Sequence, residues 1–233
     1  MSGSLKIAET FVSLQGEGKL VGTLSWFVRL SGCNLRCRWC DTKYASWSPE
    51  GGQRTIESLV EEARASGASH AVVTGGEPMV FDGVRALTEG LASAGLHVTI
   101  ETAGTVFREA HADLMSISPK LANSTPSAEE AGEWSARHES RRIDVEALQR
   151  LIDAHPSRQL KFVVAEASDL GEIEGLLGRL KEWTNEDVIL MPEGVTVEAL
   201  DGRREWVEEA CRGRGWRYGD RLHIRLYGNT RGT

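Results

Sequence analysis

Long apolar runs are missing from this sequence. No stretch approaches the ~20 apolar residues of a membrane-spanning helix, and residues 1–20 lack the apolar centre of a secretory signal peptide. Cysteine is also scarce: the chain has four, and three of them are clustered, which does not make a secreted disulfide framework. We therefore expect a protein of the reducing cytoplasm with no membrane partner.

Basic residues are outnumbered by acidic ones. The sequence has 27 Lys and Arg residues and 34 Asp and Glu residues, which gives a formal net charge of −7. This balance argues against a broad phosphate-binding surface, so we expect a small-molecule partner and no nucleic acid. No GxGxxG motif follows the first strand of the predicted βα series, so a dinucleotide site is not supported. The length of 233 residues predicts one large domain.

Three cysteines, Cys33, Cys37 and Cys40, form a C-x3-C-x2-C cluster. Thiolates are soft ligands that suit a metal centre, and three of them leave one iron of a four-iron cluster open. The alternatives are a structural zinc site and three buried core cysteines. Structural zinc usually takes four protein ligands, and no second ligand pair lies nearby. We interpret Cys211, within a predicted amphipathic helix, as a small buried hydrophobe.

Short apolar strands alternate with amphipathic helices along most of the chain. The predicted strands are 6–14, 26–30, 71–74, 97–101, 114–117, 160–164, 188–190 and 222–226. The predicted helices are 55–66, 84–94, 143–154, 169–183 and 197–212. This order is typical of an α/β fold with a parallel sheet. Segment 121–142 is rich in Ser, Ala and Glu with almost no apolar period, so we expect a mobile surface segment or lid.

The turns after successive strands carry most of the polar and glycine residues that could form a site. They include Gly75-Gly76-Glu77-Pro78, Ser118-Pro119-Lys120 and Met191-Pro192-Glu193-Gly194. Each turn alone could be an ordinary βα connection. The carboxyl ends of parallel strands meet at one edge of the sheet, however, so these turns should converge.

Two further residues on predicted strands bear on this site. Arg29 interrupts an apolar strand just before the cysteines, where it could clamp a carboxylate or extend from a sheet edge into solvent. His223 falls in the last predicted strand, and we interpret it as an ordinary sheet histidine without a functional role.

The cysteine spacing, followed by the Gly-Gly-Glu-Pro turn, resembles the radical S-adenosylmethionine superfamily. The resemblance is closer to the 7-carboxy-7-deazaguanine synthase family, and it runs nearly end to end. The stretches that carry it are 14–18, 27–30, 39–42, 74–78, 118–120 and 222–223. It implies a single-domain, abbreviated (β/α)6 partial barrel. It also implies a homodimer that needs Mg2+.

The reaction implied by this resemblance converts 6-carboxy-5,6,7,8-tetrahydropterin to 7-carboxy-7-deazaguanine. It is a radical-mediated rearrangement and ring contraction with loss of ammonia, at the start of 7-deazapurine (queuosine) biosynthesis. A [4Fe–4S] cluster and S-adenosylmethionine would supply the radical, because the cofactor carries the hard chemistry in such enzymes. An electron donor such as flavodoxin or ferredoxin would be a partner.

The resemblance also implies a role for individual residues. The cluster would be held by Cys33, Cys37 and Cys40. S-adenosylmethionine would contact Trp39, Cys40, Asp41, Gly76, Ser118, Pro119, Lys120, Met191, Pro192 and Glu193. The pterin would contact Leu14, Gln15, Gly16, Arg29 and Thr74. Thr42 would bind Mg2+ through its hydroxyl. No side chain is expected to act as a general acid or nucleophile.

Two other functions remain open at this point. An activating enzyme for a glycyl-radical protein would share the cysteine spacing and the short length. A structural zinc or electron-carrier module would share the cysteines alone.

Overall fold

The computed structural model describes residues 3–233, which form a nine-stranded sheet with the order β3-β1-β2-β4-β5-β6-β7-β8-β9. The strands are β1 Ser4–Leu14, β2 Leu24–Leu30, β3 Gly52–Thr55, β4 His70–Gly75, β5 His97–Thr102, β6 Leu114–Ile117, β7 Arg158–Val164, β8 Val188–Pro192 and β9 Arg217–Tyr218. β1 pairs antiparallel with β2 and β3, and from β2 onward all neighbours are parallel. The expected open α/β architecture is confirmed.

Helices connect most of the parallel strands. They are α1 Lys43–Ser46, α2 Ile56–Ala65, α3 Val84–Ser93, α4 Ala128–Ala131, α5 Glu133–Arg141, α6 Val145–Ala154, α7 Asp169–Leu177, α8 Val197–Arg214 and α9 Leu222–Tyr227. Short 3-10 turns occur at Gly18–Leu20, Pro78–Val80, Ala122–Ser124 and Asn185–Asp187. Within residues 3–233, every helix is too short or too polar to cross a bilayer.

Local sequence explains where the predicted helices begin. Thr55 caps α2 by accepting a 3.2 Å hydrogen bond from the Ser58 amide, and Asp144 caps α6 from the Ala147 amide at 2.9 Å. Such caps satisfy amides that have no partner inside the helix. Apolar residues at helical spacing then bury one face of each helix against the sheet.

The two-residue period of the strands separates the core from the site. In β2, Trp26, Val28 and Leu30 belong to the hydrophobic core beneath the helices. The residues between them, Phe27 and Arg29, face the opposite side of the sheet and line a cavity. The same alternation in β4, β5 and β7 directs a polar side chain of each strand into that cavity.

The prediction of a final strand at 222–226 is wrong, because these residues form helix α9. The apolar alternation of Leu222, Ile224 and Leu226 suggested a strand, but only Ile224 is buried and Leu226 is 52% exposed. The edge of the sheet beyond β8 is taken by β9, two residues that carry almost no pattern.

The segment 121–142 is helical over much of its length, in α4 and α5. The helical period was not recognisable in the sequence because most of these residues are polar. A capping box between Ser127 and Glu130 stabilises the start of α4. Cys211 is buried in α8, as predicted. The mobility expected for 121–142 stays a prediction.

A buried histidine links the starts of the parallel strands. His70 of β4 is 2% exposed, and its ring nitrogens lie 2.7 Å from Ser25 Oγ and 2.8 Å from Thr99 Oγ1. Burial, with a smaller contribution from His97, lowers the pKa of His70 to about 4. The folded protein therefore contains neutral His70 at pH 7.

We expect His70 to make stability depend on pH. Its folded pKa lies below the unfolded value of about 6.5, so its contribution is complete above pH 6.5 and falls away as pH drops toward 4. Urea unfolding should show a loss of up to about 2 kcal/mol from this residue between pH 7.5 and pH 5. His70→Asn should flatten that part of the pH profile, and an unchanged slope would contradict the assignment.

Candidate active site

The inner face of the sheet ends in a cavity of about 420 Å³ at the carboxyl ends of the parallel strands. All predicted site residues line it except Pro119, in the turn after β6, and Pro192, the last residue of β8. Those that line it are Leu14, Gln15, Gly16, Arg29, Cys33, Cys37, Trp39, Cys40, Asp41, Thr42, Thr74, Gly76, Ser118, Lys120, Met191 and Glu193. The fold thus brings the predicted residues together. Their individual roles stay predictions.

The cysteine loop, residues 31–42, follows β2 and packs tightly against the turn after β4. Gly32 donates from its amide to Ala45 O at 2.8 Å, and its carbonyl accepts from Glu77 N at 2.9 Å. A Cβ on Gly76 would lie 2.1 Å from Gly32 O and 2.8 Å from Ala45 O, so only glycine fits at position 76. Close packing of two turns therefore requires Gly76, whatever ligand it also contacts.

Glu77 of the same turn does not face the cavity as a free carboxylate. It is fully buried and accepts hydrogen bonds from Met79 N at 2.9 Å, Thr102 Oγ1 at 2.7 Å and Ala103 N at 2.7 Å. Burial raises the pKa of Glu77, and these three donors oppose that rise. The side chain joins the ends of β4 and β5 beneath the cysteine loop.

The three clustered thiols fit an iron–sulfur cluster better than a single metal ion. Within residues 3–233, no three His, Cys, Asp or Glu side chains converge on one point where an ion could sit. A four-iron cluster does not need such convergence, because each of its cysteines binds a different iron. Burial raises the pKa of Cys33 and of Cys37 to about 12, so cluster binding must displace their protons.

The turn after β6 supplies a cation beside the cysteines. Lys120 donates from Nζ to the backbone and hydroxyl oxygens of Ser118, both at 2.8 Å, and lies 5.7 Å from the centroid of the Trp39 ring. Burial lowers the pKa of Lys120. This corner combines a lysine, an indole and three thiols.

Arg29 is held in place by an acidic side chain of β1. Its Nε donates to Glu9 Oε1 at 2.8 Å, and the same oxygen accepts from Tyr44 Oη at 2.6 Å. The second oxygen, Glu9 Oε2, accepts from Arg231 Nε at 2.9 Å. Arg29 therefore does not extend into solvent, and its position beside the cavity favours the carboxylate-clamp interpretation.

Glu101 is a cavity residue that the sequence did not single out. Its two oxygens accept from two predicted pterin contacts, Gln15 Nε2 at 3.1 Å and Thr74 Oγ1 at 2.8 Å. Glu101 is the last residue but one of an apolar strand, as Arg29 is, so a charged residue near the end of a buried strand was the available signal. These three side chains form an acceptor-rich wall.

An ionic cluster of Glu17, Asp41, Lys161 and Arg221 also lines the cavity, with Lys161 and Arg221 buried and Asp41 at the exposed edge. Arg221 bonds Glu17 through Nε at 3.0 Å, contacts Asp41 through Nη2 and donates from Nη1 to Gly194 O at 2.7 Å. Lys161 contacts the other oxygen of Glu17. Burial alone would raise the pKa of Glu17 and of Asp41, but the neighbouring cations outweigh it and hold both below their usual range.

Lys161 and Arg221 were not predicted as site residues, because neither belongs to a recognisable motif. His223 was not predicted as one either; it lies in α9 and not in a strand, and it lines the cavity. A Cβ on Gly16 would lie 2.0 Å from His223 Nδ1, so this glycine lets the ring approach. Residues 229–233 also line the cavity, and nothing in their composition indicated it.

An open parallel sheet with three cysteines beside a glycine-rich turn at its carboxyl edge defines a radical S-adenosylmethionine protein. Residues 27–123 match the Radical SAM superfamily. The chain is also 50% identical to 7-carboxy-7-deazaguanine synthase from Rhodopirellula baltica, over 99% of this chain and 89% of the relative. It is 49% identical to the Halobacterium salinarum protein of that name, over 96% and 91% of the two chains. The chain belongs to the 7-carboxy-7-deazaguanine synthase family.

A solved structure agrees with this membership. QueE from Escherichia coli has a TM-score of 0.72 and 27% sequence identity, with 94% of this chain and 95% of that chain covered. Family membership across nearly the whole chain decides against the glycyl-radical activating enzyme and against the zinc or electron-carrier module.

The Glu17 cluster gives a prediction for stability. Glu17→Gln leaves Lys161 and Arg221 as buried cations without their shared anion, and breaking a buried pair in this way costs about 3–5 kcal/mol. We expect urea unfolding to show a loss in that range. The matched control is Glu208→Gln, which removes an exposed pair with Arg204 and should change stability by less than about 1 kcal/mol. Equal effects would contradict the account.

Proposed function

We propose that this protein converts 6-carboxy-5,6,7,8-tetrahydropterin to 7-carboxy-7-deazaguanine by radical rearrangement and ring contraction, with release of ammonia. The observation that carries the proposal is one cavity lined both by the cysteine loop and by the hydrogen-bonded side chains of Gln15, Thr74 and Glu101. Relatives that bear the name of this activity match the chain nearly end to end. The protein is accordingly a radical S-adenosylmethionine lyase with an iron–sulfur cluster.

We assign different parts of the cavity to the cofactor and to the substrate. When bound, the cluster and S-adenosylmethionine supply a carbon-centred radical that abstracts hydrogen from the substrate. We assign the cofactor to Trp39, Cys40, Asp41, Gly76, Ser118, Pro119, Lys120, Met191, Pro192 and Glu193. These residues lie in the turns after β2, β4 and β6 and at the end of β8. Backbone groups of the turns can bind an amino-acid moiety, and Lys120 offers a positive charge.

The substrate would contact the inner face of the strands. Arg29, fixed by Glu9, can pair with the substrate carboxylate. Gln15 and Thr74 are oriented by Glu101, and the Glu101 carboxylate can accept hydrogen bonds from the amino and ring N–H groups of a pterin. Leu14 and Gly16 complete this side of the cavity. The polar wall thus suits a flat ring with donors along one edge.

Mg2+ would bind beside the cysteine loop through Thr42. Thr42 precedes α1, but its hydroxyl makes no capping hydrogen bond to that helix and lines the cavity. Mg2+ prefers oxygen ligands and keeps several waters, so one hydroxyl with the substrate carboxylate and water would suffice. Hydroxyl, carboxylate and water oxygens are the ligands that this ion prefers.

We also propose a homodimer in a reducing cytoplasm, served by an electron donor such as flavodoxin or ferredoxin. Val12, Val21 and Leu24 are all at least 44% exposed in or beside the β1–β2 hairpin, which offers an apolar surface to a second copy. The reducing compartment is supported by the cysteines, since all four are free thiols in the structure. A small-molecule substrate and an acidic surface make nucleic acid an unexpected partner.

The decisive experiment is anaerobic reconstitution with iron and sulfide, followed by assay with the carboxytetrahydropterin, S-adenosylmethionine and a chemical reductant. We expect 7-carboxy-7-deazaguanine and ammonia in equal amounts. Cys37→Ala should lose the brown absorbance of the cluster and all turnover. Cys211→Ala, which alters the buried cysteine of α8, should keep both. Cluster-loaded protein that forms no deazaguanine would overturn the proposed function.

Thr42→Ala tests the Mg2+ site. We expect intact cluster absorbance and a higher Mg2+ concentration for half-maximal turnover, because one oxygen ligand is lost. Titration of turnover with Mg2+ measures this effect. Thr55→Ala, which removes a helix cap far from the cysteines, is the control and should leave the Mg2+ response unchanged. A normal response in Thr42→Ala would remove Thr42 from the metal site.

A further inference from the structure

Helix α5, within the 121–142 segment, packs directly against the cysteine loop. The Arg36 guanidinium lies 4.0 Å from the centroid of the Trp134 ring. Its Nη1 donates to Cys33 O at 2.9 Å and Leu35 O at 2.7 Å. One arginine therefore ties the carbonyls of the loop to a side chain of α5.

One helical turn further along α5, His138 binds the backbone of the same arginine. The Arg36 amide donates to His138 Nδ1 at 3.1 Å, and His138 Nε2 lies 2.9 Å from Ser124 Oγ. The Ser124 hydroxyl donates its one hydrogen to Leu121 O at 2.6 Å, so it must accept from His138 Nε2–H. These contacts fix the neutral ring in one tautomer, with Nδ1 free to accept. His138 is 0% exposed.

The loop is held again two residues later. The Arg38 amide donates to Ser124 O at 2.9 Å, and Trp39 Nε1 donates to the backbone and side-chain oxygens of Asn123, both at 3.1 Å. The amides on either side of Cys37 are thus both bound by residues of 121–142. Neither is available to a sulfur atom of the cluster.

We propose that the segment 121–142 positions the cluster-binding loop, and that His138 is its central positioning residue. It fixes the backbone around Cys37 before the cluster binds, and it determines which loop amides can face the cluster. Partners behind metal ligands orient those ligands, and their loss typically weakens metal binding 10–100-fold. Hydrogen bonds to the sulfurs also tune the potential of iron–sulfur clusters.

The proposal rests on the iron–sulfur cluster of the proposed function and not on the pterin. It can therefore be tested on the reconstituted full chain without substrate. Wild-type protein that keeps its cluster but forms no deazaguanine would refute the proposed activity and leave this test intact.

The test compares His138→Leu with His70→Leu, which removes a histidine that is equally buried but lies at the other end of the strands. Iron release from the reconstituted proteins to a ferrous chelator is followed by absorbance. Hydrogen exchange of the Arg36 and Arg38 amides and the cluster reduction potential are measured on the same samples. We expect His138→Leu to release iron about tenfold faster or more, with faster exchange at both amides and a changed potential. His70→Leu should match the wild type in all three.

His138→Asn is the conservative variant, because its side-chain oxygen can still accept from the Arg36 amide. We expect it to restore slow iron release, and it provides a folded sample if the leucine variant does not fold. Iron release and amide exchange in His138→Leu that equal those of His70→Leu would overturn the proposal. An asparagine variant that loses iron as fast as His138→Leu would also overturn it.

Discussion

The architecture depends on the two-residue period of its parallel strands. Every second side chain enters the apolar core under the helices, and those between face the cavity. Arg29, Thr74, Glu101 and Lys161 come from four strands, yet all reach one space because their strands are parallel and in register. A shift of one residue in any strand would exchange its core and cavity residues. The core therefore fixes the site.

The cysteine loop is held from two sides by different means. On one side the glycine-rich turn after β4 packs so closely that Gly76 admits no side chain. On the other side, the Arg36 and Arg38 amides of the loop donate hydrogen bonds to residues of 121–142. Neither form of support uses the thiols, whose own contacts are local: Cys33 Sγ accepts from Leu35 N at 3.3 Å, and Cys40 Sγ lies 3.1 Å from Ser46 Oγ. Metal centres need this kind of prior support, because the ligands must be in place before the cofactor arrives.

The sequence predicted the open α/β fold, most strands and the strand-end turns because each rests on a local pattern. Helix α9 was predicted as a strand because five residues with apolar alternation cannot distinguish a strand at a sheet edge from a short, half-buried helix. Glu101, Lys161, Arg221 and residues 229–233 were missed for another reason. Their place in the cavity depends on packing between residues that are distant in sequence. Local residue spacing does not predict which of these residues will pair with a buried charge.

The charges of the cavity wall are almost fully balanced within the protein. Arg29 faces Glu9, while Lys161 and Arg221 face Glu17 and Asp41. An anionic substrate entering such a wall would find few cations that are not already paired, and Glu101 would repel its carboxylate. In the site proposed here, a divalent cation that enters with the substrate would supply the positive charge that this carboxylate lacks. Dependence on Mg2+ would then follow from the paired charges of the wall as much as from the presence of one threonine hydroxyl.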